Sequence, residues 1–322
     1  MRVTGIIKEK KGKAISVEIE PPSVEDGIEK VYDTLNPLVK AGIDYINITN
    51  HAERIEKNQD GSLSFQIERP GTIGVAGAIK ERYRERGIIP VPHIICTGLT
   101  KSDIERTLID LNYLGIENLM ALRGDPPKLN GKLMEFKPEE RCHSYARDLI
   151  QQIANLREGV YTGTKNKTKI NFCIGMACYP EGYYKSQALD ENIEWTKAKV
   201  DAGADYLVTQ LFFNNEAYLN FVEEAEKAKI NVPIIPGIFP ISLYEHLKKL
   251  PEVFGCTIPE KLARSIEKYI DKKEDIRKVG IEWCVNQCLG LLENGAPSLH
   301  FFANRGAPVK EVIKEIQQHI FY

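Results

Sequence analysis

From residue 14 to residue 319 the chain alternates short apolar runs with longer amphipathic stretches, and that alternation leaves few folds open. Residues 14–20, 45–49, 89–96, 118–122, 170–178, 206–211, 232–238 and 298–302 read as buried strands. Between and after them, residues 24–40, 72–86, 100–114, 138–157, 190–202, 215–229, 241–250 and 308–319 read as helices, with further helices inside 258–294. The first of these carries Val31, Leu35, Leu38 and Val39 as an apolar stripe, and Thr100-Lys101-Ser102-Asp103 opens another with a capping signal. Glycines at 42, 115 and 203 stop helices before the next strand, and residues 41–45 and 202–206 share one form, Ala-Gly-x-Asp-Tyr. Eight strand–helix units in 322 residues fit a single (β/α)8 barrel spanning residues 1–322 better than an open doubly wound sheet. The first strand is not followed by Gly-x-Gly-x-x-Gly, and no P-loop pattern occurs, so a Rossmann domain is not expected.

Composition narrows the classes further. A formal net charge of −2 gives no electrostatic footprint for nucleic acid. No uninterrupted apolar run reaches the roughly 18 residues of a membrane span, and the amino terminus lacks the apolar core of a signal peptide, so a cytoplasmic location is expected. Seven scattered cysteines are an odd number and do not form a disulfide framework. Cys284 and Cys288, four apart on a helix, share a face as a metal pair would. With no Cys or His partner at ligand spacing, two packed core thiols are expected and no metal site is assigned.

A barrel gathers the outgoing ends of its strands on one rim, where its sites lie. Those ends here are Glu18 and Glu20, Thr49, His93, Arg123 and Asp125, Tyr179, Gln210, the Gly237-Ile238-Phe239 turn, and His300 with Asn304 and Arg305. The stretch 117–127 is the most pronounced case: an apolar run ends in Arg123-Gly124-Asp125, and Pro126-Pro127 forbids continuation of strand or helix. Residues 50–70 form a long polar connection, of a length usually functional or mobile.

Several segments resemble methylenetetrahydrofolate reductases, in the same order along the chain. They are Ser16-Val17-Glu18-Ile19-Glu20-Pro21-Pro22, Pro92-His93, Ala121-Leu122-Arg123-Gly124-Asp125, Tyr179-Pro180-Glu181-Gly182, Lys199-Val200-Asp201-Ala202-Gly203-Ala204, Thr209-Gln210-Leu211-Phe212-Phe213 and Pro236-Gly237-Ile238. The resemblance runs from about Ile15 to Arg305. It implies a barrel that binds FAD without a Rossmann motif and passes hydride from NAD(P)H through the flavin to 5,10-methylenetetrahydrofolate, giving 5-methyltetrahydrofolate for methionine supply. A homo-oligomer is expected, with a partner electron-transfer subunit as a further possibility.

By the same resemblance Glu18 is the general acid, whose pKa is expected to be raised by half-burial. Asp125 falls where the family has a carboxylate near flavin and folate, and Gln210 matches a pterin-contacting glutamine. FAD contacts are implied for Thr49, His93, Arg123, Gly124, Asp125, Tyr145, Ala146, Tyr179 and Lys199, the last suited to a phosphate. Arg305 is expected to approach the folate. On residue type alone Thr49, His93, Tyr145, Ala146, Tyr179 and Lys199 read as structural, His93 as a core histidine, and Asp125 as a partner for Arg123.

The chain also departs from the pattern. Glu20 stands where the family usually has an aromatic residue; it shares the face of Glu18 and could assist it, share its proton or bind Arg123. Tyr183 replaces a common histidine and Asn50 a common aromatic. No carboxy-terminal regulatory domain is expected. Two alternatives stay open: a folate- or pterin-binding methyltransferase, and a non-catalytic flavin-binding barrel subunit of a larger redox complex.

Overall fold

The computed structural model describes residues 1–51, 54–58, 60, 62–126, 128–129, 132–133, 141–162, 168–182, 188–303 and 306–320. Its barrel strands are β1 (Ile15–Ile19), β2 (Tyr45–Ile48), β3 (Ile89–Ile95), β4 (Asn118–Leu122), β5 (Cys173–Cys178), β6 (Tyr206–Thr209), β7 in two halves (Ile234–Ile235 and Gly237–Ile238) and β8 (Leu299–Phe302). All their pairings are parallel. The first half of β7 pairs with β6 and the second with β8, which pairs in turn with β1. Pro236 divides β7 because it has no N–H to give. Its carbonyl still accepts from His300 N at 3.1 Å, so the ring closes through one strand.

The helices are α1 (Val3–Lys10), α2 (Gly27–Lys40), α3 (Thr72–Arg82), α4 (Lys101–Tyr113), α5 (Ala146–Asn155), α6 (Leu189–Asp201), α7 (Asn215–Lys227), α8 (His246–Phe254), α9 (Glu260–Glu267), α10 (Lys273–Glu293) and α11 (Val309–Ile320). The expected (β/α)8 barrel is therefore present. Three expected helices shift: that over 138–157 starts at Ala146, that over 241–250 runs from His246 to Phe254, and that over 72–86 ends at Arg82 before a short 3-10 turn. Residues 134–140 lie outside the described residues.

Strand pleating sorts the side chains into two cores. Ile15, Val17, Ile19, Ile46, Ile48, Leu119 and Leu207 point outward and pack under the helices. Tyr45, Val91, Met120, Cys173, Tyr206, Val208 and Ile235 point into the bore, where Val3, Ile6 and Ile7 of α1 join them. Val3 N donates to Asn118 Oδ1 at 2.9 Å, which seats α1 at the incoming end of β4 and plugs the base of the barrel.

The repeated Ala-Gly-x-Asp-Tyr segments do the same local work. Asp44 Oδ2 accepts from Ile15 N at 2.9 Å, and Asp205 Oδ2 accepts from Ile174 N at 2.7 Å. Each carboxylate holds the start of the preceding barrel strand, and the tyrosine that follows enters the bore.

The long connection after β2 is not plain loop. Arg54–Lys57 and Leu63–Gln66 pair antiparallel, and Arg54–Lys57 also pairs parallel with Lys128–Leu129 from the connection after β4. Lys128–Leu129 pairs antiparallel with Lys132–Leu133, completing a small second sheet. The Arg123-Gly124-Asp125 turn thus leads directly into a sheet shared with the β2 connection.

Cys284 and Cys288 are buried on α10 as packed core thiols, as expected. Among the described residues no group of His, Cys, Asp and Glu could hold a metal ion. Among them, too, no helix is long and apolar enough to cross a membrane.

Candidate active site

Glu18 sits near the outgoing end of β1 and faces the bore, since Val17 and Ile19 on either side pack outward. Its side chain is 14% exposed, and Oε2 lies 3.7 Å from His93 Nε2 on β3 and 3.8 Å from His300 Nε2 on β8. These separations permit charge attraction but exceed hydrogen-bond length. Both Nε2 atoms are buried without a hydrogen-bond partner among the described residues. The other nitrogen of His300, Nδ1, is 2.8 Å from Ser16 Oγ, one inward position below Glu18 on the same strand.

Electrostatics corrects one expectation. Burial pushes the Glu18 carboxyl up, but the contact with His300 and the charges of His93, His300 and His51 outweigh it and hold the carboxyl below its ordinary value. Without bound ligand Glu18 is a carboxylate, not a poised acid. Burial pulls His93 down to about 4, against a smaller upward pull from Glu18. His93 is therefore neutral at neutral pH, and its share in holding Glu18 low operates only in acid.

Glu20 is engaged elsewhere on the rim. Its Oε1 lies 3.1 Å from Arg69 Nη2 and 3.3 Å from His51 Nε2, and His51 Nε2 is also 3.1 Å from Thr49 Oγ1. This cluster ties β1 to the foot of the connection that carries the small sheet, and it uses the carboxylate that replaces the family's aromatic residue.

The Arg-Gly-Asp turn is held by its backbone. The Arg123 carbonyl accepts from Thr97 N at 3.0 Å and Thr97 Oγ1 at 2.7 Å. Gly124 has φ +83°, and a Cβ there would stand 2.9 Å from Ile95 Cβ, so the turn requires glycine twice over. Arg123 and Asp125 remain exposed. The Arg123 guanidinium lies 5.8 Å from the Tyr145 ring centroid, and Tyr145 packs at 5.9 Å against Trp195 of α6. Tyr145 caps α5, and Ala146 is its first residue.

Lys199, one helical turn beyond Trp195, has its Nζ 6.0 Å from the Tyr179 ring and 3.4 Å from the Ala177 carbonyl. Burial pulls its ammonium down, and among the described residues no carboxylate pairs with it. Gln210 follows β6; its Oε1 accepts from Leu211 N at 2.9 Å, which fixes the amide's direction. Arg305 and Tyr183 lie outside the described residues.

The structure thus brings Glu18 of β1 together with His93 of β3, Arg123 after β4 with Tyr145 at the start of α5, and Tyr179 after β5 with Lys199 of α6. His300 was expected on this rim but given no role, and Ser16, Trp195 and the fully buried Asn47 were not singled out as site residues. The alternation of Ser298 and His300 into β8 and of Tyr45 and Asn47 along β2 carried the signal: polar groups at bore-facing positions.

A carboxylate between two imidazoles at a barrel's outgoing rim, with cations and aromatic rings on neighbouring connections, places the chain among barrels built for chemistry at that rim. Comparison sharpens the class. The sequence profile of methylenetetrahydrofolate reductase matches residues 2–317, and the chain belongs to that family. It is 31% identical over 301 residues to methylenetetrahydrofolate reductase (NADH) 1 of Arabidopsis thaliana, covering 90% of this chain and 45% of that protein. To methylenetetrahydrofolate reductase 1 of Schizosaccharomyces pombe it is 30% identical over 305 residues, again 45% of that protein. The chain therefore spans about half the length of these relatives. To the 5,10-methylenetetrahydrofolate reductase of Escherichia coli it is 27% identical over 299 residues, covering 93% of this chain and 88% of that one. Among solved structures, an uncharacterized protein from Clostridium thermocellum that binds two copies of 5-methyl-5,6,7,8-tetrahydrofolic acid matches with a TM-score of 0.58 over 98% of both chains. At 16% identity that likeness speaks to the fold.

Proposed function

We propose that this chain reduces 5,10-methylenetetrahydrofolate to 5-methyltetrahydrofolate with hydride taken from NADH or NADPH through bound FAD, and that Glu18 is its proton donor. The observation that carries this reading is the Glu18 carboxyl set between His93 and His300 at the floor of the rim.

Residues present on the rim fit the flavin. Lys199 is a cation that burial disfavours and no described carboxylate offsets, the condition a diphosphate would relieve. Arg123 presents a second cation, Gly124 lets the turn that carries it pack on Ile95, and the orphaned Nε2 of His93 offers a polar contact. When bound, FAD supplies the relay that carries hydride from nicotinamide to folate. Tyr145, Ala146, Tyr179 and Thr49 would complete its cradle, with Asp125 beside both flavin and folate and Gln210 and Arg305 on the folate.

Glu18 handles the proton. The methylene bridge of the folate must open to an iminium before accepting hydride, and the departing nitrogen needs a proton to leave. A folate covering the rim would remove the remaining solvent from Glu18, and with His93 neutral, burial would then dominate and draw a proton onto the carboxyl. Glu18 would pass that proton to the nitrogen and return to carboxylate.

The test is the visible spectrum of the purified protein. Bound yellow flavin that bleaches under anaerobic NADH or NADPH and recovers with methylenetetrahydrofolate supports the reading. A colourless protein that ignores added FAD would sink it, and a flavin that no nicotinamide reduces would point to electrons from a partner protein.

A further inference from the structure

Asn47 lies on β2 in register with Glu18 on β1, with their Cα atoms paired across the two strands. Ile46 and Ile48 pack outward with Val17 and Ile19, so Asn47 and Glu18 both face the bore as side-by-side neighbours. Asn47 is fully buried, and both its amide atoms, Nδ2 and Oδ1, lack a hydrogen-bond partner among the described residues. Val91, paired with Asn47 on the next strand, and Met120, Val208 and Ile235 of the same bore are apolar, so an aliphatic side chain would satisfy packing there. An amide kept uncommitted in such a place costs stability unless something uses it.

We infer that Asn47 is a positioning residue for Glu18, its Nδ2 donating to the carboxylate and its Oδ1 accepting from the protonated acid. The inference rests on the reading of Glu18 as proton donor. An amide both donates and accepts, so one side chain serves both protonation states and neither leaves Glu18 buried and unpaired. The titratable groups around Glu18 are His93 on β3, His300 on β8, His51 after β2 and Glu20 on its own strand. His300 is tied to Ser16 through Nδ1 and meets Glu18 with Nε2 only at 3.8 Å, and Glu20 is engaged by Arg69 and His51, which leaves the amide to follow the proton. Only O–H and N–H bonds change: the proton leaves the Glu18 carboxyl for the folate nitrogen, and a later one returns from solvent.

The experiment compares wild type with Asn47→Leu, close in shape but without polar atoms, and with Asn47→Ser. Carboxyl ¹³C NMR of glutamate-labelled protein follows the titration of Glu18, whose resonance is identified by its loss in Glu18→Gln. Asn47→Leu is expected to shift that titration upward, because the carboxylate loses a donor while burial remains. Single-turnover folate reduction is expected to fall on the order of tenfold, with flavin reduction by nicotinamide unchanged. Asn47→Ser, which restores a hydroxyl, is expected to recover most of both. Should Asn47→Leu fail to fold, Asn47→Asp replaces it, and the added like charge is expected to shift the titration upward as well. An unchanged Glu18 titration overturns the contact. A shifted titration with a wild-type single-turnover rate overturns the proton-donor reading on which the inference rests.

Discussion

Glu18 Oε2 faces His300 Nε2 at 3.8 Å, on the side of the ring away from Ser16. Ser16 Oγ lies 2.8 Å from His300 Nδ1 and 3.4 Å from the Leu299 carbonyl, so the ring is held from behind with Nε2 turned toward the carboxyl. Burial pushes that carboxyl up, and the His300 contact with the surrounding imidazoles holds it below its ordinary value while the rim is open. Folate binding that dries the rim should therefore draw about one proton onto Glu18 near neutral pH. Calorimetry of folate binding in two buffers of different ionisation enthalpy measures this uptake directly. Glu18→Gln should bind folate without it, and its folate reduction should fall ~10²–10⁴-fold while flavin reduction persists.

His93 sets the acid limb of stability. Its imidazole is held at about 4 against an ordinary 6.5, chiefly by burial. Between those values the unfolded chain binds a proton that the folded chain refuses, so stability is complete above pH 6.5 and falls as pH drops toward 4. The full loss is ~3 kcal/mol. Glu18, held below its ordinary 4.5, adds its own loss only below that pH. Urea unfolding between pH 7 and pH 4 should show the slope, and His93→Gln should flatten it. An equal slope in the variant would place the titrating group elsewhere.

Lys199 should matter for the flavin more than for the fold. Its ammonium is disfavoured by burial in the free protein, so Lys199→Met should leave thermal stability near wild type. Its FAD affinity should weaken by roughly tenfold to a hundredfold, the loss of one charge-assisted phosphate contact. Affinity for riboflavin, which has no phosphate, should be unaffected. Fluorescence titration of apoprotein with both ligands separates a phosphate contact from a general distortion.

Much of this architecture was legible in the chain because strand and helix periods repeat with glycine stops between them. The polar strand ends at Glu18, His93 and Asp125 could be placed on one rim from parallel order alone. What escaped depended on partners distant in sequence. The small sheet joins residues 54–57 to 128–129 through backbone pairing that no local pattern announces. Helix α1 is short, and its Val3, Ile6 and Ile7 make sense only once the bore they plug exists. The lowered Glu18 carboxyl depends on His300, 282 positions away, and so could not be read from β1. Glu20 was weighed as a partner of Arg123, whereas Arg69 and His51, brought in by the β2 connection, hold it.

Gly124 offers the cleanest test of how the rim is built. Alanine there meets two separate penalties: φ of +83°, which L-residues avoid, and a Cβ 2.9 Å from Ile95 Cβ. Gly124→Ala should therefore cost ~1–3 kcal/mol in unfolding free energy. The strain falls on a turn whose neighbours carry Arg123 and Asp125, so FAD affinity should drop with stability. Pairing the change with Ile95→Ala separates the two causes. The smaller neighbour lacks the Cγ2 and Cδ1 atoms that stand 3.2 and 3.3 Å from the new methyl, but its own Cβ stays in place and the backbone angle is unchanged. The double variant should thus recover part of the stability and affinity beyond what the two single changes predict by addition, measured as a coupling energy in a double-mutant cycle. Strict additivity would mean that Ile95 does not constrain the turn, and that the positive φ alone demands glycine.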